Sequence, residues 1–260
     1  NMGFEKMFSL NGKNALIVGG SRGLGRGMAE ALSEAGAQVI LASRKEEECK
    51  KAAGEIQKKT GGKAFGLRAD ISGKNGASQL VAEAVDLAGH VDILLNSAGV
   101  NVRKPSVDYT EEDWDRVQEV QLKGVFFTCQ AAARHMIEKK IRGRIINVAS
   151  INAKVVARED IVSYVAAKGG VMQMTKALAA EWASHGITVN AVAPGFFQTE
   201  LTKVLFENSD VRSKLLSHIP MRRFGDPDQD LGGIAVFYAS DLSAYTTGQM
   251  LCVDGGYTLI

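Results

Sequence analysis

The stretch Lys13-Asn14-Ala15-Leu16-Ile17-Val18-Gly19-Gly20-Ser21-Arg22-Gly23-Leu24-Gly25 decides the fold of this chain. Its first six residues read as an apolar strand that opens directly into glycines. A helix is expected from about Arg26 to Ala35, Gly36 ends it, and Gln38 to Ala42 is a second strand. Strand, glycine loop, helix and strand within about thirty residues form the context that a dinucleotide fingerprint requires. The spacing here is Gly19-x-x-x-Gly23-x-Gly25. Such glycines let backbone approach a pyrophosphate held at a helix N-terminus. Gly19, Ser21, Arg22, Gly23, Leu24 and Gly25 are therefore expected to bind a nucleotide cofactor. A glycine-rich turn with no ligand is the plainer alternative.

The end of the second strand should distinguish the cofactors. An NAD site places Asp or Glu there for the ribose 2′-hydroxyl. This chain has Ser43-Arg44-Lys45 instead, and Arg22 can approach the same pocket. Two guanidinium groups and no acid suit a 2′-phosphate, so NADP(H) is expected. Glu46, Glu47 and Glu48 read as the first turn of the next helix.

Onward, Lys63 to Ala69 is a third strand with Asp70-Ile71 at its end, placed to meet the adenine. After a helix from about Asn75 to Ala88, Val91 to Leu95 is a fourth strand. It enters Asn96-Ser97-Ala98-Gly99, where Asn96, Ala98 and Gly99 would pass close to a cofactor. Thr110-Glu111-Glu112-Asp113 starts a long helix that reaches Glu138, with Trp114, Val117, Leu122, Phe126 and Phe127 expected inward. Arg144 to Ala149 is a buried strand, with Ser150 where it ends. A helix then carries Tyr164 and Lys168, four apart and so on one face. An ammonium beside a phenol favours the phenolate and makes the tyrosine a usable acid/base near neutral pH. With 5 tyrosines and 18 lysines in 260 residues, such a pair arises by chance about 0.35 times. The pair is weak evidence until the upstream serine and the glycine loop are added.

Ile187 to Val192 is a sixth strand leading into Pro194-Gly195-Phe196-Phe197-Gln198-Thr199. Glu200 to His218 is amphipathic and polar, as a lid over substrate would be. Asp226-Pro227-Asp228 starts a helix through Tyr238, and Met250 to Val253 is the last strand, before Asp254-Gly255-Gly256. Alternating strands and helices imply an α/β fold, a parallel sheet with helices on both faces. No repeat or linker interrupts residues 1–260, which read as one domain.

Composition excludes several classes. The chain is 45% hydrophobic and 23% charged with a net charge of +2 and no basic block, so neither nucleic acid nor a membrane surface is indicated. Cys49, Cys129 and Cys252 are too scattered for a disulfide framework or zinc site, and His90, His135, His185 and His218 lack ligand spacing, so no metal is expected. No signal peptide or spanning segment is read, Met2 is taken as the natural start, and a cytoplasmic location is expected.

Taken in order, Gly19-x-x-x-Gly23-x-Gly25, Asp70, Asn96-Ser97-Ala98-Gly99, Ser150, Tyr164-x-x-x-Lys168, Pro194-Gly195 with Thr199, and Asp254-Gly255-Gly256 resemble the short-chain dehydrogenase/reductase family nearly end to end. The resemblance implies a Rossmann fold with a seven-stranded sheet and reversible hydride transfer between a nicotinamide and a carbonyl/alcohol pair. A homotetramer is the implied assembly. Tyr164 would give its proton to the carbonyl oxygen. Lys168 would hold the nicotinamide ribose and depress the Tyr164 pKa. Ser150 would stabilise the substrate oxygen, and Thr199 with the backbone after Pro194 would hold the carboxamide and pyrophosphate.

Three departures from the family pattern stand out. Val18 replaces a usual threonine, and Gln121 replaces a catalytic asparagine that anchors a water in a proton relay. Ser150 and Tyr164 are fourteen apart where thirteen is usual. Phe8-Ser9-Leu10, Phe197-x-Thr199-Glu200-Leu201-Thr202-Lys203 and Arg223-Phe224-Gly225-Asp226-Pro227 resemble the gluconate 5-dehydrogenase-like branch, which acts on sugar acids. A 3-oxoacyl-carrier-protein reductase is the alternative, and Val18 with Gln121 keeps open a non-catalytic dinucleotide-binding pseudo-enzyme or partner subunit. A sugar acid needs its carboxylate held, and Arg103 first, then Arg158, are the candidates; Phe196 joins them as a substrate neighbour.

Overall fold

The computed structural model describes residues 3–73, 75–199 and 209–259. Seven strands, β1 (Asn14–Val18), β2 (Gln38–Ser43), β3 (Ala64–Arg68), β4 (Ile93–Asn96), β5 (Arg144–Val148), β6 (Thr188–Pro194) and β7 (Met250–Val253), form one parallel sheet in the order β3-β2-β1-β4-β5-β6-β7. The order reverses between β1 and β4, and ligands of open α/β sheets bind outside the carboxyl ends at such a switch point. Val18 is in register with Asn96, Asn96 with Asn147, and Val148 with Val192. The segments following these strands therefore emerge along one edge.

The helices are α1 (Phe4–Phe8), α2 (Gly23–Glu34), α3 (Glu46–Thr60), α4 (Gly76–Ala88), α5 (Glu111–Gln118), α6 (Val125–Glu138), α7 (Val162–Trp182), α8 (Ser209–Ser217) and α9 (Pro227–Ala239). Side chains alternate across each strand, so the sheet builds two cores. Ile17, Leu41, Leu95 and Ile146 pack on one face with Met28 and Leu32 of α2, Ile56 of α3 and Leu231 of α9. Leu16, Ile40, Leu94 and Ile145 pack on the other with Leu80 of α4, Met136 of α6 and Trp182 of α7. All residues of β1, β4, β5 and β6 are buried, as a sheet covered on both faces requires. Full burial of one large aliphatic side chain contributes about 1.5–3 kcal/mol, so dozens of them hold the edge rigid.

The Gly169-Gly170 pair does not interrupt α7. A side chain at Gly170 would come within 2.9 Å of Leu122, so the glycine lets the two helical segments approach closely. The long helix expected from Thr110 to Glu138 is, by contrast, split. A capping box of Thr110 and Asp113 starts α5, but residues Glu119–Gly124 form a π-helical turn before α6 resumes. Ahead of the turn Val117 is buried and Trp114 is 40% exposed; after it Phe127, expected inward, is 43% exposed. Extra residues in a helical turn rotate everything that follows it. Of the lid expected over Glu200 to His218, residues 200–208 lie outside those described. The described part contains α8, which buries no residue. Among the described residues no helix is long and apolar enough to cross a membrane.

Candidate active site

Gly19 has φ +82°, and a Cβ there would lie 2.6 Å from the Ala98 amide nitrogen. A Cβ on Gly25 would collide with the Gly19 carbonyl oxygen. The glycines thus let the loop fold on itself and against the Asn96–Gly99 turn. Next to it, α2 begins without a side-chain cap and without an acid in its first turn, leaving its N–H groups available to an anion. Thr199 approaches from the loop after β6, its methyl 3.7 Å from where a Gly23 side chain would start. Gly195 donates its N–H to Val253 O at 2.9 Å and so fixes how that loop departs from Pro194. These features fit a dinucleotide pyrophosphate.

Toward the adenosine end, Arg22 and Arg44 are both exposed, on either side of the corner between β2 and α3. Ser43 Oγ lies 3.0 Å from Cys49 Sγ, and the Ser21 hydroxyl is close enough to favour the ionised form of this buried thiol. Cys49 thus sits between the glycine loop and the β2 end, a placement that sequence reasoning missed. Asp70 Oδ1 accepts from Ser72 N at 3.0 Å and from Ser72 Oγ at 2.6 Å. Those bonds, helped by the charges of Arg44 and Arg68, hold its carboxyl below the usual range. Ile71 is buried against Val18 and Ile40 in the second core, and Leu24 is packed on the first.

Asn96 has a structural use for its side chain besides the backbone role expected of the turn. Its side chain turns into the core, where Nδ2 donates to Asn147 Oδ1 at 3.0 Å and to Cys129 Sγ at 3.2 Å. The backbone of Ser97 and Ala98 and the Ser97 Cβ are presented to the glycine loop. Gln121, inside the π-turn, is 1% exposed; Nε2 donates to Val100 O at 2.6 Å, and Oε1 is buried with no partner among the described residues.

Ser150, Tyr164 and Lys168 come together at the end of β5. Lys168 Nζ is 5.6 Å from the centre of the Tyr164 ring and donates to Val148 O at 2.7 Å. The Ser150 hydroxyl is close enough to the Tyr164 phenol to favour its ionised form. Helical spacing thus placed the tyrosine and lysine side by side, but the expected pKa effect is reversed. Burial raises the Tyr164 pKa, opposed by the Ser150 hydroxyl; the Lys168 ammonium lies over the ring and bonds a carbonyl rather than the phenol oxygen.

Burial also pushes Lys168 from 10.5 down to about 7. The unfolded chain keeps that proton to about 10.5 and the folded chain releases it near 7, so the unfolded state binds more protons in between. This group therefore makes the free protein more stable as pH rises from about 7 toward 10. Chemical denaturation at stepped pH should show that rise in the native protein and its loss in Lys168→Met. Parallel pH dependence of the two would mean that Lys168 is not desolvated in this way.

The expected substrate residues are less closely grouped. Lys104 N donates to Asp160 O at 2.9 Å, joining the loop of Arg103 to the loop between Ser150 and Tyr164. Arg103 is exposed and has no ion pair or hydrogen bond among the described residues. Arg158 Nε bonds Asp160 Oδ1 at 3.2 Å. Phe196 packs edge-on to Tyr257, 5.2 Å between ring centres, beside a cleft lined by Met221, Arg223 and Asp254.

A phenol able to pass a proton, set on the same sheet edge as a dinucleotide cradle, equips the chain as an oxidoreductase that interconverts an alcohol and a ketone. Residues 18–258 match the family model described as Enoyl-(Acyl carrier protein) reductase, and the chain belongs to the short-chain dehydrogenase/reductase family. It is 42% identical over 255 residues to 2-dehydro-3-deoxy-D-gluconate 5-dehydrogenase of Dickeya dadantii, covering 96% of this chain and 97% of that one. It is 37% identical to gluconate 5-dehydrogenase of Gluconobacter oxydans, covering 99% of each. A solved gluconate 5-dehydrogenase from Burkholderia cenocepacia, in complex with NADP and tartrate, superposes with a TM-score of 0.92 at 38% identity, over 98% of this chain and 99% of that one.

Proposed function

We propose that this protein is an NADP(H)-dependent oxidoreductase for sugar acids, interconverting a secondary alcohol and a ketone as in gluconate and 5-ketogluconate. The observation that carries the substrate class is Arg103, an exposed guanidinium without a partner among the described residues, on a loop bonded to the one between Ser150 and Tyr164. A planar guanidinium suits a carboxylate held in two places.

The nicotinamide, when bound, supplies or accepts the hydride. Gly19, Ser21, Gly23 to Gly25, Ala98, Gly99, Pro194, Gly195 and Thr199 hold the cofactor, with Asp70 and Ile71 at the adenine and Lys168 at the nicotinamide ribose. Ser150 donates to the substrate oxygen and stabilises the negative charge that grows there. Tyr164 passes its proton to that oxygen in reduction and takes it back in oxidation. The 3-oxoacyl-carrier-protein reductase reading is supported by similarity to a protein of that name from Chlamydia pneumoniae, 39% identical over 250 residues; it gives Arg103 no substrate carboxylate to bind. The pseudo-enzyme reading leaves the assembled Ser150, Tyr164 and Lys168 without a use. We extend the reading to a cytoplasmic homotetramer, which would cover the exposed Trp114, Phe127 and Ile137 along α5 and α6; light scattering tests it.

The decisive assay is turnover of purified protein with NADPH against keto acids, neutral ketoses and acyl thioesters. Keto acids should be reduced fastest; preference for acyl thioesters would favour the reductase alternative. Cofactor choice gives a separate expectation. A charge-assisted contact to the 2′-phosphate contributes about 1.5–3 kcal/mol, so Arg44→Ala should weaken NADPH binding about tenfold or more and leave NADH binding unchanged. NADH binding as well as NADPH to the native protein would refute the assignment.

A further inference from the structure

Ser150 is the residue on which proton direction turns, and its surroundings contain a group that the reading above does not use. A serine hydroxyl has one proton to give and two lone pairs to accept with. Both accepting positions are filled by one neighbour: Asn152 N donates to Ser150 Oγ at 3.1 Å and Asn152 Nδ2 at 3.2 Å. The hydroxyl is left only as a donor, and the Tyr164 phenol is close enough for that hydroxyl to favour its ionised form. The other end of the same amide is also engaged, since Asn152 Oδ1 accepts from Ala157 N at 3.0 Å. Ala157 precedes Arg158 in the segment between Ser150 and Tyr164.

We propose that Asn152 is a positioning residue that sets the polarity of Ser150, making it a fixed proton donor toward Tyr164 and the substrate oxygen, while its carbonyl pins the loop that carries Arg158. The inference rests on the oxidoreductase reading above. With its lone pairs occupied, Ser150 cannot accept the Tyr164 proton, so the phenol's proton is directed to substrate rather than lost sideways to the serine. The peptide N–H of residue 152 persists whatever its side chain, so the side-chain amide supplies the second, removable half of this restraint.

Two substitutions separate the two ends of the amide. Asn152→Ala removes both side-chain bonds. Asn152→Asp keeps an acceptor for Ala157 N but replaces the donor beside Ser150 with an oxygen that draws the serine proton toward itself. If polarity is what matters, Asn152→Ala lowers kcat about five- to tenfold, the effect of one lost hydrogen bond. Asn152→Asp, despite its intact loop bond, should lower kcat on the order of 100-fold, as losing an oxyanion donor does. NADPH affinity and thermal midpoint should change little in either. A readout independent of turnover is the alkaline phenolate absorbance of Tyr164, isolated by subtracting the spectrum of Tyr164→Phe. It should move to higher pH in both variants, and further in Asn152→Asp.

Asn152→Asp retaining as much activity as Asn152→Ala, with an unmoved phenolate titration, would reduce Asn152 to a loop fastener and overturn the proposal. If one variant does not fold, the other compared with the native protein decides by the same two measurements. Absence of carbonyl turnover in the native protein would count against the oxidoreductase reading alone, because the phenolate titration still reports whether Asn152 polarises Ser150.

Discussion

Tyr164→Phe is expected to lower kcat about a thousandfold, within the range that a positioned general acid contributes, while NADPH binding stays nearly intact. The substitution removes one oxygen and keeps the ring, so the packing beneath Lys168, whose Nζ lies 5.6 Å from the ring centre, is preserved. What disappears is the phenol beside Ser150 that passes the proton. Two measurements check this: NADPH fluorescence titration for binding and single-turnover reduction for chemistry. Lys168→Ala should behave differently and damage both, because Lys168 is assigned to the cofactor ribose as well as to the tyrosine. Should Tyr164→Phe keep most of its turnover, another proton donor would have to be found.

The second large effect is expected at Arg103. A carboxylate held by a guanidinium gains charge-assisted bonds of about 1.5–3 kcal/mol each, so Arg103→Ala should raise KM for an acidic substrate roughly 10- to 100-fold. Because the contact is equally present in ground and transition states, kcat should change little. A neutral analogue should be treated alike by the native protein and the variant. Arg158→Ala should have the smaller effect, because its guanidinium is already paired with Asp160 at 3.2 Å. Initial-rate kinetics on a matched acidic and neutral pair provide the measurement. Equal treatment of the two substrates by both variants would remove the support for a sugar acid and favour an acyl thioester.

The active-site reading was legible wherever chemistry is written in local spacing. Glycines after an apolar strand announced the cradle, and the Tyr164-x-x-x-Lys168 spacing placed phenol and ammonium on one helical face. Gln121 was identified by its position in the family pattern, but its bond to Val100 O at 2.6 Å was not. Asn152 carried no signal at all. An asparagine four residues beyond a strand is ordinary, and its importance comes from where a distant helix brings Tyr164.

By itself the sequence determined the seven strands and the residues available at the sheet's edge, because short continuous apolar runs and glycine breaks are properties of neighbouring residues. Only the tertiary structure decided that the long helix is broken by a π-turn at Glu119–Gly124, that Asn96 faces the core, and that Trp114 and Phe127 face outward. It also decided the direction of the Tyr164 shift. Desolvation and hydrogen-bond partnership depend on everything packed around a group, and residues far apart in the chain supply most of that packing.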